Sequence, residues 1–121
     1  MARATKLACL LAAMLVPAHA EAMNRSGSCT IAAGEKLPAA VGGTDAVCSE
    51  IQRAIAAVAP NVSYTADITV LSPSRLSATL VVNGRSLPAQ KFAIMDRELS
   101  RSAIARFAHS LAAEVAKAAK S

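Results

Sequence analysis

The first twenty residues, 1–20, limit what the rest of this chain can fold into, because their pattern is that of a secretory signal peptide. Arg3 and Lys6 provide a positive start, residues 7–16 form an unbroken apolar run, and the stretch ends at Ala20 in an Ala-x-Ala cleavage pattern. We therefore predict cleavage after Ala20 and a periplasmic or secreted mature protein, with a Gram-negative periplasm as the leading location. Such a compartment lets thiols oxidise, so a disulfide becomes available to the fold.

The remaining segment, residues 21–121, has the length of a single domain. Roughly 100 residues is close to the commonest domain size, and we predict a flexible lead over 21–28 followed by one domain over 29–121. A membrane-spanning helix needs about 20 apolar residues, and no segment after the signal approaches that length. We therefore expect no transmembrane span after cleavage, while retention of the uncleaved signal as an anchor stays open.

Three cysteines are present, and Cys9 would leave with the signal. Cys29 and Cys48 then form an even pair in an exported domain, which predicts a disulfide. It would close a loop of about 20 residues, worth roughly 3 kcal/mol of stability by the chain-entropy relation. The sequence has no Cys-x-x-Cys motif, and His109 is its one histidine after the signal. We therefore expect neither a metal site nor a cofactor.

A short strand over 29–33 and a helix starting at Thr44 are predicted for the first part of the domain. Thr44 can cap the helix, and Pro60 disfavours helical geometry at the residue before it, so the helix should stop there. Helical spacing puts five apolar side chains on one face: Val47, Cys48, Ile51, Ile55 and Val58. Because Cys48 lies on the face that would meet the strand carrying Cys29, the spacing and the disulfide prediction agree.

Three further strands are predicted in the middle of the domain. Residues 62–71 alternate between apolar and polar side chains, which is the pattern of a strand with one buried and one wet face. Residues 75–82 alternate in the same way, and the Asn-Gly pair at 83–84 is the strongest short hairpin signal. The chain should return as a strand over 85–94, and Pro88 favours an edge position for that strand.

The last predicted helix carries an apolar stripe. We predict that it starts at Asp96, with a start nearer Ser100 as the alternative. Its apolar residues follow helical spacing: Ile104, Phe107, Ala108, Leu111, Val115 and Ala118. The predicted fold class is therefore α+β, a small β-α-β-β-β-α domain in which two helices pack on one face of an antiparallel sheet.

The positive charge of the chain is mild and scattered. The formal net charge is +5 at pH 7, but Arg3 and Lys6 would be lost with the signal, and no run of five or six like charges follows. This balance mostly favours solubility, with an anionic partner such as lipopolysaccharide or an acidic lipid as the alternative. The element order matches that of double-stranded RNA-binding domains, but residues 96–101 mix both signs where such a domain needs lysines. We therefore expect no nucleic-acid partner.

Two surfaces of the predicted sheet are candidates for a partner. Thr65, Asp67 and Thr69 lie on its polar face. Arg85 and Lys91 lie in the edge strand, which could accept a strand from another protein. We therefore expect an exported, non-enzymatic binding or accessory module of the bacterial cell envelope, whose partner is an envelope protein or another cell-envelope component.

Residues suited to catalysis are sparse in the sequence. His109 falls on the polar side of the last helix, and no Gly-x-Ser-x-Gly motif accompanies it. Asp67 and Asp96 are better explained as a solvated strand residue and a helix cap. We expect no enzyme, with two alternatives left open: a small periplasmic hydrolase or enzyme inhibitor, and a carrier of a hydrophobic ligand between helices and sheet.

Overall fold

The structure, a computed structural model, describes residues 27–120. The predicted signal peptide, its cleavage site and residues 21–26 of the predicted lead lie outside these described residues. The elements follow in this order: β1 (Gly27–Ala32), 3-10 turns at Gly34–Lys36 and Ala39–Val41, α1 (Thr44–Val58), β2 (Tyr64–Ser72), β3 (Arg75–Val82), β4 (Arg85–Ser86), β5 (Gln90–Ala93) and α2 (Arg101–Ala119). The predicted α+β class is confirmed.

One five-stranded sheet of mixed direction forms the first layer of the domain. β2 and β3 pair antiparallel, but β1 runs parallel to β2, with Cys29 opposite Ala66. The sheet therefore differs at β1 from the antiparallel sheet expected from the sequence. The physical reason is the connection, because a crossover through helix α1 brings the chain back in its original direction.

The strand predicted over 85–94 is divided into the two short strands β4 and β5. The Asn-Gly turn before it forms as predicted, with Asn83 at φ 51° and Gly84 at φ 83°. Residues 87–89, which include Pro88, then lie between β4 and β5. Proline has no N–H to donate to the neighbouring strand, so the ladder along β3 is interrupted there.

The two helices begin at Thr44 and Arg101. α1 has Thr44 as its first helical residue, after Gly43, and no side chain caps it. α2 is capped by Ser100, whose hydroxyl oxygen accepts the backbone N–H of Ala103 at 3.2 Å. The start predicted at Asp96 is wrong and the alternative near Ser100 is confirmed, because Asp96 lies in a non-helical segment with a left-handed φ of 63°, and Ser100 makes the capping hydrogen bond.

The two helices cover one face of the sheet and share one apolar core with it. Phe107 of α2 is 1% exposed, and its ring centroid lies 5.4 Å from that of Phe92 on β5. Ile51 and Ile55 of α1 are fully buried, whereas Val58, predicted on the same apolar face, is 54% exposed at the end of the helix. No polar or charged side chain is buried in residues 27–120. The same residues include no helix long and apolar enough to cross a membrane.

Candidate functional site

The face of the sheet opposite the helices holds most of the residues predicted as a partner surface. Thr65, Asp67 and Thr69 alternate with the buried side chains of β2 and all point to this face. Residues paired in register share a face, which adds Ser28, Thr30 and Ala32 of β1, Ser77, Thr79 and Val81 of β3, and Lys91 of β5. We call this set the open face, because no element in the described part of the chain covers it.

Asp67 lies near the centre of the open face. Its Oδ1 atom accepts a hydrogen bond of 2.6 Å from the hydroxyl of Thr30 on the parallel neighbour β1, and Thr79 lies opposite it on β3. A carboxylate has acceptor sites for several donors. The Thr30 hydroxyl therefore orients the Asp67 carboxylate while leaving further lone pairs for a donor from outside the molecule.

The remaining side chains of the open face are mostly hydroxyls and short apolar groups. Serine and threonine hydroxyls both donate and accept hydrogen bonds. Lys91, opposite Ser77, places a positive charge at the margin near β5. The open face therefore suits a partner that presents both donors and acceptors, with a cation facing Asp67.

Arg85 and Lys91, predicted together in one edge strand, point to opposite sides of the sheet. Arg85 pairs with Val82, a buried residue of the helix-covered face. Its guanidinium donates a 3.1 Å hydrogen bond to the backbone carbonyl of Ala118 at the end of α2, where a cation also suits the helix dipole. Of the five predicted surface residues, the structure thus brings Thr65, Asp67, Thr69 and Lys91 together and separates Arg85 from them.

Arginine lines three of the clefts on the surface of the described residues. Arg53 and Arg101 line a cleft of about 240 Å³ between the helices, where Arg53 also forms an exposed ion pair with a glutamate of its own helix. Arg97 and Arg106 line one of about 340 Å³ beside the start of α2, and Arg85 lines one of about 240 Å³ at its end. Apolar residues, among them Val41 and Ile104 in the first cleft, line these clefts together with the arginines.

Groups that could act in catalysis lie apart from one another. His109 is exposed on α2, hydrogen-bonds no carboxylate of residues 27–120 and lies outside the three clefts. Burial raises the pKa of the Tyr64 phenol, which therefore stays protonated at neutral pH. Both cysteines of the described chain are joined in a disulfide, and those residues contain no cluster of three or more potential metal ligands.

In comparisons with protein-family models, curated proteins and solved structures, the chain has no significant match.

Proposed function

We propose that this protein is an exported, non-enzymatic binding module of the bacterial cell envelope, and that it contacts an envelope protein through its open face. One observation carries the proposal: the helices seal one face of the five-stranded sheet, and the opposite face is left without a cover in the described residues. A sheet needs one apolar face against a core, and its second face is then available to solvent or to a partner.

The chemistry of the open face favours a polypeptide as the partner. Its hydroxyls can hydrogen-bond both amide N–H and carbonyl groups. The hydrogen bond from the Thr30 hydroxyl orients the Asp67 carboxylate before a partner binds. A group that is oriented before binding loses little conformational entropy when the complex forms. An arginine, lysine or backbone N–H of the partner is the natural donor to Asp67.

The envelope location is supported by the sequence and the disulfide together. The signal pattern of residues 1–20 indicates export, and the bond between Cys29 and Cys48 is of the kind that persists in oxidising compartments. The positive charge, in contrast, is mild, and the sequence contains no run of five or six like charges. A protein partner is therefore favoured over an anionic lipid or polysaccharide.

The proposal is tested by site-specific crosslinking in the intact envelope. A photoreactive residue at Thr65 should give one discrete crosslinked protein, because Thr65 lies on the open face. The same residue at Glu114, on the partly exposed outer side of α2, is the matched control and should not give that product. Equal products from both positions, or none from Thr65, would overturn the proposal.

A charge reversal shows whether the crosslinked protein is held by the chemistry of the open face. Asp67→Arg should abolish the product formed from Thr65, because it removes the acceptor and opposes an incoming cation. Glu114→Arg makes the same change of charge on α2 and should leave the product intact. A crosslinked protein that persists in Asp67→Arg is a neighbour rather than the bound partner.

A further inference from the structure

The two edges of the sheet are protected very differently. The edge formed by β4 and β5 is interrupted at Pro88 and carries Arg85 and Lys91, three devices by which proteins prevent pairing with foreign strands. The edge formed by β1 is one uninterrupted strand, Gly27–Ala32, which contains no proline and no charged residue. The edge predicted from the sequence to accept a strand is therefore protected against pairing, whereas the β1 edge has no such protection within Gly27–Ala32.

The core side chains of β1 are only partly covered. Cys29 and Ile31 point toward the helices but are half-buried, whereas Ala66 and Ile68, opposite them on β2, are 0% and 1% exposed. Along an edge strand, every second residue also directs its backbone N–H and C=O away from the sheet. A further strand beside β1 would satisfy these backbone groups and bury the two side chains.

We propose that the missing neighbour of β1 is β1 of a second copy of this chain, paired antiparallel about a two-fold axis. Two such edges satisfy each other completely, because a two-fold interface is built from the same patch on both subunits. The pairing joins two five-stranded sheets into one continuous sheet with all helices on the same side. It extends the open face across both copies and does not depend on the function proposed above.

The sequence of β1 is self-complementary in this arrangement. With Cys29 on the axis, Gly27 faces Ile31 of the second copy and Ser28 faces its Thr30, so inward residues meet inward residues. Ile31, the largest inward side chain of the strand, thus lies opposite Gly27, the smallest. The ring of Tyr64 occupies the space where a Cβ of Gly27 would be, so Ile31 of the second copy would lie next to that ring. Within Gly27–Ala32, neither copy brings a charged side chain to the contact.

The disulfide makes β1 a rigid template for this pairing. Cys29 is bonded to Cys48 of α1, so the edge strand is tied covalently to the helix layer as well as hydrogen-bonded to β2. A strand that is already ordered loses less entropy on pairing than a flexible segment. The oxidised protein is therefore the form expected to dimerise.

Sedimentation velocity and amide hydrogen exchange of oxidised residues 21–121 test the proposal together. We expect a monomer–dimer equilibrium that shifts with protein concentration, and slower exchange at higher concentration in β1 but not in β5. A monomer in sedimentation whose β1 amides nevertheless exchange slowly at every concentration would show that another part of the same chain covers the edge. A monomer with rapidly exchanging β1 amides throughout would leave the edge to a foreign strand, and either result overturns self-pairing.

A variant with two lysines added to the β1 edge tests whether this edge forms the dimer, and a variant with two lysines elsewhere on the sheet is its control. Ser28→Lys with Ala32→Lys places guard charges on exposed positions of β1 and should cause loss of the dimer. Thr69→Lys with Thr79→Lys adds the same charge to exposed positions of the inner strands β2 and β3, and should leave the dimer unchanged. Retention of the monomer's melting temperature shows that each variant is folded. Equal effects of the two pairs would attribute dimerisation to the open face instead.

Discussion

Cys29 on the edge strand and Cys48 on the first helix are joined by a disulfide, with their Cα atoms 5.7 Å apart. The bond closes a loop with a sequence separation of 19 residues, which contains both 3-10 turns and the start of α1. Among the described residues β1 has a hydrogen-bonded neighbour on one side, and the covalent link adds an attachment to the helix layer.

Removal of the disulfide should lower the free energy of unfolding by roughly 2–5 kcal/mol, because the unfolded chain regains the entropy of an open loop. Chemical denaturation of Cys48→Ser against the oxidised wild type measures the loss. Ser49→Ala, at the next and exposed position of α1, is the control and should stay within about 0.5 kcal/mol of wild type. Unchanged stability, or two titratable thiols in the native protein, would show that the bond is absent.

Gly27 should tolerate no side chain, because a Cβ there would overlap the ring of Tyr64. We expect Gly27→Ala to lower the free energy of unfolding by about 1–3 kcal/mol, as overpacking does in a well-filled core. The cost should shrink in a Tyr64→Ala background, where the ring is gone, and a double-mutant cycle measures that coupling. Ser28→Ala, at the exposed neighbour, should be nearly neutral. Equal costs of Gly27→Ala in both backgrounds would contradict the contact.

Ser100, rather than Asp96, should determine the stability of the start of α2. Loss of the hydroxyl that accepts the Ala103 N–H makes Ser100→Ala about 1 kcal/mol less stable. Ser110→Ala, at an exposed position within the same helix, should have little effect. Asp96→Gly should cost nothing, since glycine adopts a φ of 63° without strain. If Asp96→Gly lowered the free energy of unfolding as much as Ser100→Ala, Asp96 rather than Ser100 would be the residue that stabilises the start of α2.

Tyr64 should make the domain less stable in alkali. Burial raises its pKa in the folded state above the ordinary value of 10.0, so the unfolded phenol ionises first as the pH increases. The contribution of the neutral phenol is complete below pH about 10, and it is lost as the pH rises through the folded pKa. Because this is the chain's only tyrosine, phenolate absorbance reports it directly. Tyr64→Phe should flatten this part of the pH profile, and an unchanged profile would assign it to other groups.

Local patterns account for the parts of the fold that were predictable. The alternation of residues 62–71, the Asn-Gly turn at 83–84 and the helical stripes each depend on near neighbours in sequence, and each specifies its element. The disulfide could be predicted because only two cysteines follow residues 1–20, the predicted signal peptide. The direction of β1 could not be read from its own side chains, because periodicity identifies a strand but not the orientation of its neighbour.

The candidate site was predictable only where the alternation was unbroken. Thr65, Asp67 and Thr69 follow one strand without interruption, so sequence parity places them on one face. Arg85 and Lys91 have the same parity and would share a face in a continuous strand, but the break around Pro88 resets the alternation. A strand over 29–33 was predicted, and in the structure it begins two residues earlier, at Gly27 within the predicted lead. Its place at an edge could not be predicted, because a local pattern does not give the order of strands in a sheet.

The interruption at Pro88 also limits the size of the assembly that pairing through β1 could form. A sheet with two receptive sides could add copies without limit and grow into fibrils. Here the side broken by the proline offers no continuous ladder to a newcomer, so association through β1 has nowhere to continue once two copies have met. In the proposed dimer, the interruption at Pro88 together with Arg85 and Lys91 would therefore keep the assembly at two copies.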